Sequence, residues 1–211
     1  MTKSPSNFPD FIRLVVAGEF AAVSRALAGD PVLATHQAKV GATRRGRPAF
    51  FFRNIAHHLY AGDTALHLAA AAFQPRLARL LVGHGADWRK RNRRGAQPLH
   101  YAADTNRWVP TAQAEVIRYL LSVGADPNSV DKGGVTPLHR AIRTRSAPAV
   151  RALLEGGANP RTPNGTGTTP LELAVKTTGR GGSVSAHARQ QQAEIIRLLR
   201  EHGARLPSKE R

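Results

Sequence analysis

A short phrase returns four times along the chain: Thr64-Ala-Leu-His67, Gln97-Pro-Leu-His100, Thr136-Pro-Leu-His139 and Thr169-Pro-Leu-Glu172. His67, His100 and His139 stand 33 and 39 residues apart, and Glu172 follows after another 33. A period near 33 residues argues against a globule packed round one central core. It predicts a row of small units, each burying its apolar face against the next. Such an array usually works by presenting a surface to a partner.

A second phrase keeps the same beat. Leu80-Leu-Val-Gly-His-Gly85-Ala-Asp87 follows the first histidine, Leu120-Leu-Ser-Val-Gly124-Ala-Asp126 the second, and Leu153-Leu-Glu-Gly-Gly157-Ala-Asn159 the third. Leu198-Leu-Arg-Glu-His-Gly203-Ala closes the series. Two motifs holding register four times resemble the ankyrin-repeat family over about residues 59–206. The resemblance implies an all-α solenoid, each repeat a β-hairpin loop, or finger, followed by two antiparallel helices. It divides the chain into a degenerate N-terminal capping repeat (1–36), an inserted basic and aromatic loop (37–58), four full repeats (59–91, 92–130, 131–163 and 164–206) and a tail (207–211).

The residues supply physical reasons for that unit. Thr136 is a good helix N-cap, because its hydroxyl can accept from an unpaired N–H of the first turn. Pro137 then falls at the first helical position, where a missing N–H costs nothing. Leu138, Ala141 and Ile142 form a stripe to bury. Pro75 and Pro148 are expected to open second helices by the same first-turn logic. Gly85, Gly124, Gly157 and Gly203 suit the left-handed position that ends a helix. Three departures from the family pattern, Ala65 for proline, Gln97 for the capping threonine and Glu172 for histidine, are expected to weaken the caps of the first, second and fourth repeats. The third repeat is accordingly expected to be the most stable.

Before the first full repeat, Phe11, Ile12, Val15 and Val16, then Phe20, Val23 and Leu27, read as two short helices split at Gly18. Between Asp30 and Gly62 about 24 residues are inserted where an ordinary repeat has only its finger. The insert opens with Thr43-Arg-Arg-Gly-Arg47 and continues through Phe50-Phe-Phe-Arg-Asn-Ile-Ala-His-His-Leu-Tyr60. Two readings stand for the aromatic part: it folds back onto the first full repeat, or it offers a platform to a ligand. Packing is favoured, since buried aromatics are most often core. Two further insertions, Asp104 to Ala112 and Thr177 to His187, fall between the helices of a repeat and read as connectors or loops on the working face.

Charge is the second signal. The net charge is +17, from 31 Lys and Arg against 14 Asp and Glu. Its sharpest cluster is Arg89-Lys90-Arg91-Asn92-Arg93-Arg94. Arginine outnumbers lysine 25 to 6, a bias associated with GC-rich, bacterial genomes. A solvated basic face and an anion-binding surface are both open readings of this charge. Trp88, Trp108 and Tyr101 form no regular stacking platform for single-stranded nucleic acid, and no DNA- or RNA-binding signature is present.

No catalytic, cofactor or metal site is expected. There is no cysteine, no paired-carboxylate motif and no Ser-His-Asp arrangement. The resemblance gives His67, His100 and His139 a structural role, one per repeat and too far apart to share a metal. No apolar run is long enough to span a membrane, and the polar N-terminus lacks the apolar stretch of a signal peptide; a cytoplasmic monomer is expected. The expected function is non-enzymatic binding of a protein, an acidic one being among the open readings, through the concave face, the fingers and the inserted loops. One alternative is a binder of nucleic acid or another polyanion. A second is a small-ligand receptor or enzyme built on the inserted aromatic segment. The expected contact residues are Arg44, Arg45, Arg47, Trp88, Arg89, Lys90, Arg91, Asn92, Arg93, Arg94, Trp108, Asp131, Lys132 and Asn164.

Overall fold

The structure, a computed structural model, describes residues 7–43, 50–104, 109–176 and 185–206. Its helices fall into two rows. The inner row is α1 (Phe8–Ala17), α3 (Ala65–Ala71), α5 (Pro98–Ala103), α7 (Pro137–Arg143) and α9 (Pro170–Lys176). The outer row is α2 (Phe20–Gly29), α4 (Pro75–Gly83), α6 (Pro110–Ser122), α8 (Ala147–Glu155) and α10 (Ala186–Glu201). Each inner helix packs on the inner helices before and after it, and each outer helix does the same in its own row.

Small side chains make the inner row possible. Every residue of α3 is buried, four of its seven being alanine, and every residue of α5 is buried. The outer helices carry a stripe on one side only: Leu77, Ala78 and Leu81 in α4, Val116, Ile117 and Leu120 in α6. Spaced at i, i+1 and i+4, these share one face, which meets the row before and after while the rest of the helix meets water. Pro75 opens α4, and Pro148 lies in the first turn of α8. Gly18, Gly85, Gly124, Gly157 and Gly203 all take positive φ where helices end.

The cap of the repeating phrase is built the same way each time. In the first repeat the Thr64 backbone N–H donates to His67 Nδ1 at 3.1 Å, while His67 Nε2–H donates to the Ala96 carbonyl of the next finger at 3.1 Å. His100 repeats this with the Gln97 N–H and the Val135 carbonyl, and His139 with the Thr136 N–H and the Thr168 carbonyl. Each imidazole thus closes its own helix and staples the following repeat.

The three departures from the family phrase still leave hydrogen bonds at each cap. Thr64 and His67 close their box although Ala65 replaces proline, the Thr64 hydroxyl lying 2.9 Å from Nδ1. The Gln97 side chain donates to the Arg89 carbonyl while its N–H is still taken by His100. Glu172 accepts the Thr169 N–H at 2.8 Å and the Thr169 hydroxyl at 3.0 Å, and Thr169 Oγ1 accepts the Glu172 N–H in return. That is a reciprocal capping box made with a carboxylate.

Part of each expected helix–helix insertion turns out to lengthen a helix. α6 runs 13 residues from Pro110 and α10 runs 16 from Ala186, against 9 for α4 and α8. The aromatic insert folds back. Phe51–Phe52 (β1) pairs antiparallel with His57–His58 (β2), Ile55 and Leu59 are buried, and Phe50, Phe52 and Tyr60 lean on the core. It reaches past the first repeat: the His57 ring lies 4.4 Å from the ring of Tyr101 on α5.

Candidate partner-binding groove

The fingers build one edge of the groove, and one side chain shapes each of them. Asn92 Oδ1 accepts the N–H groups of Arg94 and Ala96, Asp131 Oδ1 those of Gly133 and Val135, and Asn164 Oδ1 those of Thr166 and Thr168. These are turns in which a short polar side chain substitutes for backbone. Asn92, Asp131 and Asn164, expected contact residues, spend these side-chain oxygens on the turns of the finger tips. Adjacent tips are joined by single backbone hydrogen bonds, Arg93 N–H to the Ala61 carbonyl, Lys132 to Arg94 and Gly165 to Gly133. At Gly134 a Cβ would stand 2.5 Å from the Gly165 nitrogen, with φ at +67°, so only glycine admits this approach.

The basic run 89–94 is divided by its turn. Arg89 folds back on Asp87 and over the Trp88 ring. Arg91 donates to the Gly95 and Val130 carbonyls and so ties two fingers. Arg93 and Arg94 turn to the groove, where their guanidinium groups lie 5.6 and 5.2 Å from the centre of the Tyr60 ring. Lys90 and Lys132 are exposed. Trp88 is half-buried against Gly124, and its Nε1 has no hydrogen-bond partner among the described residues. Arg44, Arg45, Arg47 and Trp108 lie outside the described residues.

Between the fingers and the inner helices runs a cleft of about 840 Å³, lined by Thr43, Tyr60, Arg93, Arg94, Asp104, Asp131, Lys132, Arg140 and Arg143 among others. Arg140 is its buried floor. It donates to Asp104 at 3.1 Å and Asp131 at 2.8 Å, and Arg143, one turn on, donates to both oxygens of Asp104 at 3.0 Å. Burial raises the Asp131 carboxyl, but hydrogen bonds from Arg140 and from the Gly133 and Val135 N–H groups hold it below the usual carboxylate range.

Beside it lies a second buried polar cluster. Asp63 accepts from the Tyr101 hydroxyl at 2.8 Å, from Asn92 Nδ2 at 2.9 Å and from the Tyr60 N–H. Burial pushes its carboxyl up to about 6 and pushes the Tyr101 phenol well above its ordinary value. Sequence reasoning missed Asp63, Asp104, Arg140 and Arg143. A signal was present: Tyr101 and Arg140 occupy the register that Leu68 and Leu173 fill in the other repeats.

Stacked helical hairpins in two rows, joined finger to finger, define a repeat solenoid. Residues 41–131 and 109–210 match the family model of ankyrin repeats (3 copies), and the chain belongs to the ankyrin-repeat family. It is similar to mouse (Mus musculus) ankyrin repeat and SOCS box protein 6, 41% identical over 80 residues, 37% of this chain and 18% of that protein. It is 31% identical over 115 residues to a putative ankyrin repeat protein of fowlpox virus (strain NVSL), covering 43% of this chain and 81% of that one. Human protein phosphatase 1 regulatory subunit 27 is 34% identical over 76 residues, 36% of this chain and 46% of the relative. The chain thus spans less than a fifth of the mouse relative's length. No helix among the described residues is long and apolar enough to cross a membrane.

Proposed function

We propose that the chain is a non-enzymatic interaction module that binds an acidic protein partner through the concave groove and the finger tips. The observation that carries this reading is the cleft itself, in which Arg93, Arg94, Lys132, Arg140 and Arg143 stand against two carboxylates. Rigid repeats hold these groups in place before binding, which lowers the entropic cost of association. The relatives' ankyrin segments and the names of the regulatory proteins that contain them support a protein partner. A cytoplasmic monomer goes with this reading. Within it, Arg94 and Lys132 on neighbouring tips are the exposed contacts, and Lys90 and Trp88 extend the surface behind them.

The test is affinity purification of the partner from the native host, then titration of the purified pair. The double substitution Arg94→Glu and Lys132→Glu is expected to weaken the complex at least about tenfold, chiefly at low salt. Undiminished binding by that variant would overturn the groove as the interface. A nucleic-acid ligand would instead show log K falling with log salt by roughly 0.9 per DNA phosphate contacted.

A further inference from the structure

Arg140 is costly where it stands. A leucine fills the same register in the first and fourth repeats, so stacking does not call for a cation there. A buried guanidinium must be paired to be tolerated, and Asp104 and Asp131 pair it. The pairing is incomplete: Arg140 Nε is buried and has no hydrogen-bond partner among the described residues. Arg140 and Arg143, three residues apart, share one face of α7. Arg140 is buried at the cleft floor while the Arg143 side chain is 58% exposed. Both hold the carboxylate of Asp104, which caps the end of α5 and lines the same cleft.

Building on the reading above, we propose that Arg140 and Arg143 form a carboxylate subsite, which Asp104 occupies in the free protein and shares with or yields to an acidic side chain of a bound peptide. The geometry of a carboxylate on these two guanidinium groups is already present, supplied from within the chain. Bidentate recognition of this kind is what the arginine fork suits best. Lys132 and Arg94 at the rim add attraction for further acidic residues. An acidic peptide fits better than a polyphosphate chain. Asp104 and Asp131 would face every phosphate of a continuous backbone, whereas acidic side chains spaced along a peptide can avoid them. Arg93 and Arg94 also lie over the Tyr60 ring, which hinders a base from stacking on it.

The test uses the full chain and a labelled peptide of alternating Glu and Ser, with a Gln-Ser peptide and a single-stranded oligonucleotide as comparison probes. Asp104→Asn removes the competing charge and keeps the shape; the Glu-Ser peptide is expected to bind it a few-fold to about tenfold tighter than wild type. Arg143→Gln, at a side chain that is 58% exposed, is expected to bind it about fivefold or more weakly. Thermal melting of each variant establishes that the fold is intact. Glu-Ser binding that is unchanged or weaker in Asp104→Asn, or unaffected by Arg143→Gln, overturns the subsite. If the native partner's complex stays sensitive to Arg94→Glu and Lys132→Glu in that case, the interaction reading stands without it. Failure of the Glu-Ser peptide to bind any form also overturns the subsite, and tighter oligonucleotide binding with the same dependence on Arg143 overturns the choice of a peptide.

Discussion

The histidines of the repeating phrase are held neutral by burial, against the pull of the carbonyl that each Nε2–H reaches. Nδ1 must stay unprotonated to accept the capping N–H, and the ring lies in the interior. Burial lowers His67 to about 4 and His100 to about 3, and lowers His139 as well. An unfolded chain takes up protons on these rings below about 6.5, whereas the folded chain does not until much lower pH. The stability these rings contribute is therefore complete above about 6.5 and is lost as pH falls through about 4 for His67 and about 3 for His100, by roughly 3 and 5 kcal/mol respectively. Asp63, raised to about 6, works the other way: its folded state gains protons first, so falling pH favours the fold by roughly 3 kcal/mol. The histidines outweigh it. Urea midpoints are expected to decrease from pH 7 to pH 5, and to decrease more steeply in Asp63→Asn; midpoints that rise over this interval would refute the assignment. Glu172 belongs to the same scale. It performs the local half of the histidine's task, and no further finger follows among the described residues for a second nitrogen to reach. Glu172→Ala is expected to lower the melting temperature by roughly 2–4 °C, and Glu172→His to leave it nearly unchanged.

At the scale of elements, stability follows how much of each inner helix is enclosed. α5 and α7 have neighbours on both sides and bury six residues apiece, whereas α9 buries only Pro170, Leu171 and Ala174. Amide exchange is expected to be at least about tenfold faster in α9 than in α5 and α7. Equal protection across the three would contradict the enclosure argument. The two helices per repeat were legible in the sequence because proline, glycine and apolar spacing recur with the period. The fate of the basic run was not. Its five cations read as one patch, yet the turn around Asn92 sends Arg89 back to Asp87, Arg91 between the fingers, and Arg93 and Arg94 to the groove. The direction of each side chain depends on a turn whose shaping residue, Asn92, itself looked like surface. Arg140 escaped notice for a related reason: a lone arginine in a helical stripe resembles a solvated position until the next repeat is laid over it.

The whole array carries a charge of +17, and its ion pairs are mostly at the surface. Three of them lace successive outer helices: Arg79 to Glu115, Arg118 to Glu155 and Arg151 to Glu194. The arginine side chains in these pairs are 43–57% exposed, so each pair contributes little in water, about 1 kcal/mol or less. Self-repulsion acts along the full length of the solenoid and opposes compaction. Salt weakens both, but it removes a few small attractions while relieving a large excess of like charge. The repulsion also reaches between repeats, where screening is strongest, because the Debye length shortens from about 10 Å at 0.1 M to about 3 Å at 1 M. The melting temperature is therefore expected to climb by several degrees as sodium chloride is raised across that range. Sodium chloride is the right probe because sulfate strengthens apolar burial on its own account. A melting temperature that falls with added sodium chloride would mean that the ion pairs, and not the excess charge, govern the array. Charge reversal of Arg94 and Lys132, which enter no ion pair among the described residues, is expected to stabilise the fold under net repulsion.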